Sequence, residues 1–158
     1  MPKVLVIYYS RTGHTEQMAQ LISEGIESED VEVVCKKVVD TRIDDLLEAD
    51  GIVMGSPTYY GSMAAELKQL IDESVEHHGK LEGKVGAAFS SSGGIGGGNE
   101  TTVLDILKAM LIHGMIVQGD FRGDHYGPVA VGAPDARSSE ECMRRGRWVG
   151  QLVKRLAG

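Results

Sequence analysis

The chain has 158 residues, 42% hydrophobic and 25% charged, and its 16 Lys and Arg against 23 Asp and Glu give a formal net charge of −7. This size and apolar content suit one domain over 1–158 with a core that needs neither disulfides nor a structural metal, and the acidic balance argues against a nucleic-acid binder, which carries a basic face. No apolar run reaches the roughly 18–20 residues of a membrane span, no signal-peptide cleavage site follows Met1–Ile7, and Cys35 and Cys142 form neither a CxxC pair nor a metal cluster with His, so a cytoplasmic protein with reduced thiols is expected.

Val4–Tyr9 is a continuous apolar run, the mark of a strand covered on both faces. Met18, Leu21, Ile22, Gly25 and Ile26 then share one helix face. Further strands are expected at Val31–Val39, with Cys35 as a packing residue, at Gly51–Ser56 and at Lys84–Ser90. Between the last two lies a helix with Met63, Leu67, Leu70 and Ile71 on one side. His77 and His78 read as loop polarity. Val103, Ile106, Leu107, Met110 and Leu111 repeat the helical spacing, and Met115–Gln118 is a short fifth strand. Asp120–Arg137 reads as an irregular loop, long enough to suggest a role. Ser138–Glu141 has the pattern of a capping box that opens a last helix, with Val149, Leu152, Val153 and Leu156 inward. Arg144, Arg145 and Arg147 read as its solvated face.

This alternation implies an α/β, doubly wound, five-stranded parallel sheet of order 2-1-3-4-5 with helices on both faces. Ligands of such sheets sit at the carboxyl ends of the strands. The expected site is therefore built from Ser10–Thr15, Ser56–Ser62 and Ser91–Asn99.

The first loop, Ser10-Arg11-Thr12-Gly13-His14-Thr15, runs into a helix, where hydroxyls and backbone N–H groups suit a phosphate. A polar turn that only caps the helix is the alternative. In the second loop Pro57 and Gly61 stiffen the turn, Thr58 offers a donor, and Tyr59 and Tyr60 offer flat faces to a planar heterocycle. Tyrosines packed at a loop base would look the same. The third stretch, Ser90–Asn99, lets bare backbone approach a ligand ring; a flexible linker shares its composition. Glycine as a whole is 21 of 158 residues, against a usual share of about 7%, and five of them crowd into Gly93–Gly98.

Rival motifs are missing. There is no GxxxxGK(S/T), and the glycine cluster fails the GxGxxG spacing and follows the fourth strand. The strand ends Tyr8–Ser10 and Gly55–Pro57 lack the acids of a response regulator. Thr41, six residues past Cys35, stands where a Cys-x5-Arg phosphatase loop needs arginine.

Taken together, the loops resemble the flavodoxin-like FMN proteins, and most of all the WrbA-type NAD(P)H:quinone oxidoreductases. Ser10–Thr15 is similar to the flavodoxin-type phosphate loop, and Gly55–Met63 to G-(S/T)-P-T-x-(F/Y)-G-x-M. Phe89–Thr101 is similar to the fourth-strand loop, His113-Gly114-Met115 to H-G-M, and Tyr126, Gly127 and Gly132 to a later loop. The resemblance implies that Ser10, Arg11, Thr12, Gly13, His14 and Thr15 hold the FMN phosphate. Pro57, Thr58, Tyr59, Tyr60 and Gly61, with Ser90, Ser91, Ser92, Gly93 and Gly97, would flank the isoalloxazine, and His113 would stand at its reacting edge as the catalytic residue. It further implies NADH or NADPH as donor, a quinone or other small acceptor, and a homodimer or homotetramer. The region between strands two and three is shorter than in that family, and Glu76, His77 and His78 stand where an aromatic is often found.

Two other functions fit the same residues. A flavodoxin in the strict sense would carry single electrons between redox proteins, with the acidic charge serving docking. A non-redox binding module would use the fold without FMN.

Overall fold

Strand β1 (Lys3–Tyr8) divides the interior in two, because alternate side chains leave opposite faces of the sheet. Val4, Val6 and Tyr8 enter one core, and Leu5 and Ile7 the other. The computed structural model describes residues 1–158. β1 is followed by α1 (His14–Glu27), β2 (Glu32–Lys37), a short α2 (Asp45–Glu48), β3 (Gly51–Pro57), α3 (Ala65–Glu73), β4 (Val85–Ser92) and α4 (Asn99–Ile112). β5 (Ile116–Val117), β6 (Val129–Val131) and α5 (Ala136–Ala157) complete the chain. The parallel order β2-β1-β3-β4-β5 is the expected one, with α1 and α5 over one face and α2, α3 and α4 over the other. No helix is long and apolar enough to cross a membrane.

α1 and α5 lie backbone to backbone. A Cβ at Gly25 would run into the Met143 carbonyl oxygen, and one at Gly146 into the Ile22 carbonyl oxygen. Met18, Ile22 and Ile26 are buried beneath them, as the spacing indicates.

Several expectations need correction. The fifth strand position is shared: β5 pairs with Val85 and Gly86, and β6 pairs with Ser90, Ser91 and Ser92. The segment expected to be irregular, Asp120–Arg137, thus holds a strand and the start of a helix. The cap of α5 is Asp135, whose Oδ1 accepts from Ser138 N–H at 2.8 Å while Ser138 Oγ accepts from Asp135 N–H at 2.9 Å. The box is thus set three residues earlier, with Ser138 as its third helical residue, and Ser138–Glu141 lies inside the helix. Val149 and Val153 are buried, but Leu156, like Leu111 in α4, both in the last turn of their helices, is more than half exposed. Cys35 is exposed on the edge strand β2 rather than packed, and Val38–Asp40 is a 3-10 turn, not strand.

Of the three α5 arginines expected on a solvated face, Arg147 is half-exposed, 3.6 Å from Glu140, but Arg144 and Arg145 turn inward. Arg145 is 5% exposed and donates to the carbonyls of Gln118 at 2.7 Å and Asp124 at 3.3 Å. Its guanidinium also lies 5.5 Å from the Trp148 ring centroid. Arg144 binds Asp120 at 2.7 Å and Glu141 at 2.8 Å. Burial works against the ionised Asp120, but the Arg122 N–H and Arg144 outweigh it and hold this carboxyl below its usual range. These bonds tie the excursion between β5 and β6 to α5, and Asp124 passes the tie on by accepting from Val129 N–H at 2.9 Å.

Replacing Arg145 with leucine strands two carbonyls and removes the buried cation that faces Asp120. Arg145→Leu should lower unfolding stability by about 2–4 kcal/mol in a urea titration. A change within about 0.5 kcal/mol, the range of an ordinary surface substitution, would show that the tie carries no weight.

Candidate functional site

The turn after β1 is shaped by one hydroxyl. Ser10 Oγ accepts from Gly13 N–H at 3.1 Å and Glu16 N–H at 3.3 Å. Gly13 caps α1 at φ +95°, a conformation that glycine takes without the Cβ penalty. The N–H groups of Arg11, Thr12, His14 and Thr15 donate to no protein acceptor. They gather where the helix dipole favours negative charge, which is an anion-binding arrangement. All six expected residues, Ser10 to Thr15, are therefore together. Beside them the Tyr8 hydroxyl donates to Glu16 at 3.2 Å. Burial first, and then Glu16, pushes that phenol up to about 12.

The second loop is tighter than its sequence suggests. Tyr59 and Ser62 exchange two backbone hydrogen bonds, 2.8 Å and 3.2 Å long. Between them Tyr60 and Gly61 are both left-handed, at φ +50° and +81°, as a two-residue hairpin turn requires. For a tyrosine this conformation costs about 1–3 kcal/mol. The Tyr60 side chain is wholly exposed. Tyr59 meets Tyr9 edge-on, with ring centroids 6.3 Å apart, which adds Tyr9 to the site. Pro57 and Thr58 are half-buried at the base, and Thr58 N–H donates to the Ser91 carbonyl at 2.8 Å.

The third stretch is half strand. β4 continues through Ser92, and Ser90, Ser91 and Ser92 are buried with their hydroxyls engaged by protein. Ser90 Oγ lies 3.0 Å from Thr58 Oγ1. Ser91 donates to the Gly132 carbonyl at 2.7 Å, and Ser92 to that of Gly94 at 2.9 Å. These serines hold the strand end in shape. Past Ser92 the backbone is bare: a Cβ at Gly93, Gly94 or Gly96 would meet no atom within 4 Å, and Ile95 is 96% exposed. Gly97 instead turns back, its N–H bonded to the Gly94 carbonyl at 3.0 Å. Gly98 caps α4 at φ +103°, and a Cβ there would stand 2.9 Å from Gly61 Cα. The second and third loops touch at that point.

His113 is not brought to these loops within the chain. It stands just past the last residue of α4, a helix of 14 residues, and so lies about 20 Å from Gly98 at the rise of 1.5 Å per residue. Gly114 there accepts from Gly83 N–H, beside the start of β4 and at the opposite edge of the sheet. The expected position at a reacting ring edge is thus not met by this residue in its own subunit. His113 lines a groove of about 470 Å³ between α3 and α4, with Met63, Ile71, Val75, Lys108 and Ile112. His77 is not loop polarity either: it is 8% exposed, with Nε2 2.8 Å from Asp44 Oδ1.

His113 Nε2 lies 2.8 Å from Ser74 Oγ, which itself donates to the Ile71 carbonyl at 2.5 Å. With the single hydroxyl proton used there, Ser74 accepts from His113 Nε2–H and leaves Nδ1 bare, buried and without a partner. Burial first, then His78 and His77, hold His113 below the usual histidine value. The unfolded chain therefore takes up this proton first, and stability falls on acidification from about pH 6.5 down through the depressed folded value. Thermal melts between pH 8 and 5 should show a loss that His113→Gln reduces. Equal slopes in both proteins would remove this linkage.

Known proteins share this geometry and sequence. The family described as NADPH-dependent FMN reductase matches residues 2–125. A flavodoxin of Aquifex aeolicus is 42% identical over 162 aligned positions, covering 97% of this chain and 88% of that one. An NAD(P)H dehydrogenase (quinone) of Sinorhizobium fredii is 40% identical over 141 positions, covering 75% and 71%. Among solved structures, a flavodoxin from the domain Archaea matches with a TM-score of 0.81 at 32% identity, over 96% of this chain and 99% of that one. The anion-binding turn after β1, the paired loops after β3 and β4 and these matches agree: the chain belongs to the NADPH-dependent FMN reductase family, FMN-binding redox proteins of flavodoxin-like fold.

Proposed function

We propose that the protein is an oxidoreductase that takes electrons from NADH or NADPH and passes them through FMN to a quinone-type acceptor. One observation carries this reading. The wall formed by Gly93, Gly94 and Gly96 has no side chain and open space where each Cβ would be. A planar ring lying between it and the second loop keeps one face accessible to a small substrate.

FMN, when bound, supplies the electron transfer; the chain supplies its place and surroundings. The free N–H groups of Arg11, Thr12, His14 and Thr15 bind the phosphate, Ser10 fixes the turn, and Gly13 allows close approach. Pro57, Thr58, Tyr59, Tyr60 and Gly61 form one wall for the ring. Gly93, Gly94 and Gly96 form the other, with Gly97 turning the backbone back behind them, on a strand end braced by Ser90, Ser91 and Ser92. No proton is assigned to His113 in this scheme, because it lies at the far end of α4.

A second reading, a one-electron carrier, is favoured by the net charge of −7 and by the flavodoxin relatives. Stopped-flow and steady-state assays of FMN-loaded protein separate the two. The oxidoreductase should oxidise NADH or NADPH with benzoquinone at a sustained rate and with ping-pong kinetics. A protein that is reduced by photochemistry but ignores both nucleotides is the carrier. The open wall has its own test in Gly94→Trp, where the new ring has room. It should tighten FMN binding by up to about tenfold and lower kcat/KM for the quinone. Unchanged quinone kinetics in that variant would mean that the acceptor does not use this face.

A further inference from the structure

Thr101 lies in the first turn of α4, outside every loop given a part in FMN binding. Its Oγ1 is 2.6 Å from the Gly61 carbonyl oxygen and 2.9 Å from the Gly98 carbonyl oxygen. A threonine hydroxyl has one proton and donates once. Gly98 O has other donors, Thr102 N–H at 3.0 Å and Thr102 Oγ1 at 2.8 Å. Gly61 O has no donor besides Thr101. Gly98 is thus satisfied without this proton, and Thr101 is the one protein donor to the solvent-facing Gly61 carbonyl.

Gly61 is the second residue of the left-handed turn. The Tyr59–Ser62 pair closes the ends of that turn, but the Tyr60 ring is wholly exposed and secures nothing. At the base of the loop, Thr58 Oγ1 lies 3.0 Å from Ser90 Oγ and 3.1 Å from Thr102 Oγ1, so the base is already linked to β4 and α4. At the closing residue of the turn, Ser62 Oγ donates to Asp105 Oδ2 of α4 at 2.7 Å; at Gly61 itself the side-chain link to α4 is Thr101.

We infer that Thr101 is a positioning residue: its hydroxyl clamps the Tyr60–Gly61 turn to the start of α4 and so sets the gap between the two walls that receive the FMN ring. This rests on the FMN reading of the site. A helix-capping role, through Gly98 alone, is the competing explanation, and it differs in what it leaves unchanged. A cap affects the stability of the apo-protein. The clamp affects the bound ring, because a turn that moves against the ring alters both its affinity and its redox potential.

The experiment compares wild type, Thr101→Val, which keeps the shape without the donor, and Thr101→Ser, which keeps the donor. Each apo-protein is titrated with FMN by fluorescence quenching, the midpoint potential of the bound FMN is measured, and the apo-proteins are unfolded in urea. Thr101→Val should weaken FMN binding about three- to tenfold, the scale of one hydrogen bond, and move the potential, with Thr101→Ser within about twofold of wild type on the same scale. Thr101→Ala is a second donor-free variant and must reproduce the valine result, also where the valine variant fails to fold. Wild-type affinity and potential in the donor-free variants overturn the clamp, whatever happens to apo stability. A wild-type protein that does not bind FMN overturns the FMN reading itself, and the clamp with it.

Discussion

The candidate site depends on one close approach, that of the Gly98 backbone to the Gly61 turn. β3 and β4 are parallel neighbours in register, with Ser56 opposite Ser90 and Pro57 opposite Ser91, so their loops leave the sheet side by side. Each loop must then return to a helix on the same face. For α4 this return is made at Gly98, whose positive φ and contact with Gly61 Cα both exclude a side chain. Any Cβ there separates the two walls, and the space between them changes shape. The hydroxyls of Thr58, Ser90, Thr101 and Thr102 are short enough to link the two elements across so small a distance.

The rest of the fold keeps those strand ends in place. Ser91 is tied to Gly132, the residue after β6, and β6 is present because the excursion before it is anchored to α5. A buried arginine that donates to backbone carbonyls is well suited to this, since it stays charged and its planar fork has several donors. The anchoring therefore reaches from α5, through the split edge strand, to the carboxyl end of β4. The site is braced from behind as well as shaped from the front.

Much of this is legible in the sequence, and the parts that are not share a physical cause. The strand order, the helix face of α1, that of α4 apart from Leu111, and the Ser10–Thr15 turn all follow from local periodicity and composition, and the structure has them. Arg145 and His77 are misread because their type predicts exposure, whereas their burial is decided by carbonyls and a carboxylate distant in sequence. β6 is hidden because three residues carry too little alternation to mark a strand. His113 lies away from the three loops of its own chain because a motif match says which residues are present, while the length of α4 decides at which end of the sheet they stand. Tyr9 reads only as the end of an apolar run and Thr101 only as the end of a motif; each matters through a partner distant in sequence.

An acidic protein that binds a phosphate looks like a contradiction, and the geometry resolves it. The net charge of −7 acts over distances at which ions screen it, within a Debye length of about 8–10 Å. In the proposed site the turn after β1 acts at contact, through four N–H groups that need no counter-charge and through a helix terminus whose field is strongest in its first turn. The same use of backbone reappears in the third stretch, where glycines replace the side chains that would cover a ring. On the proposed reading, the glycine excess and the acidic charge describe one arrangement: recognition is left to main chain at the sheet edge, and the surface is free to be acidic.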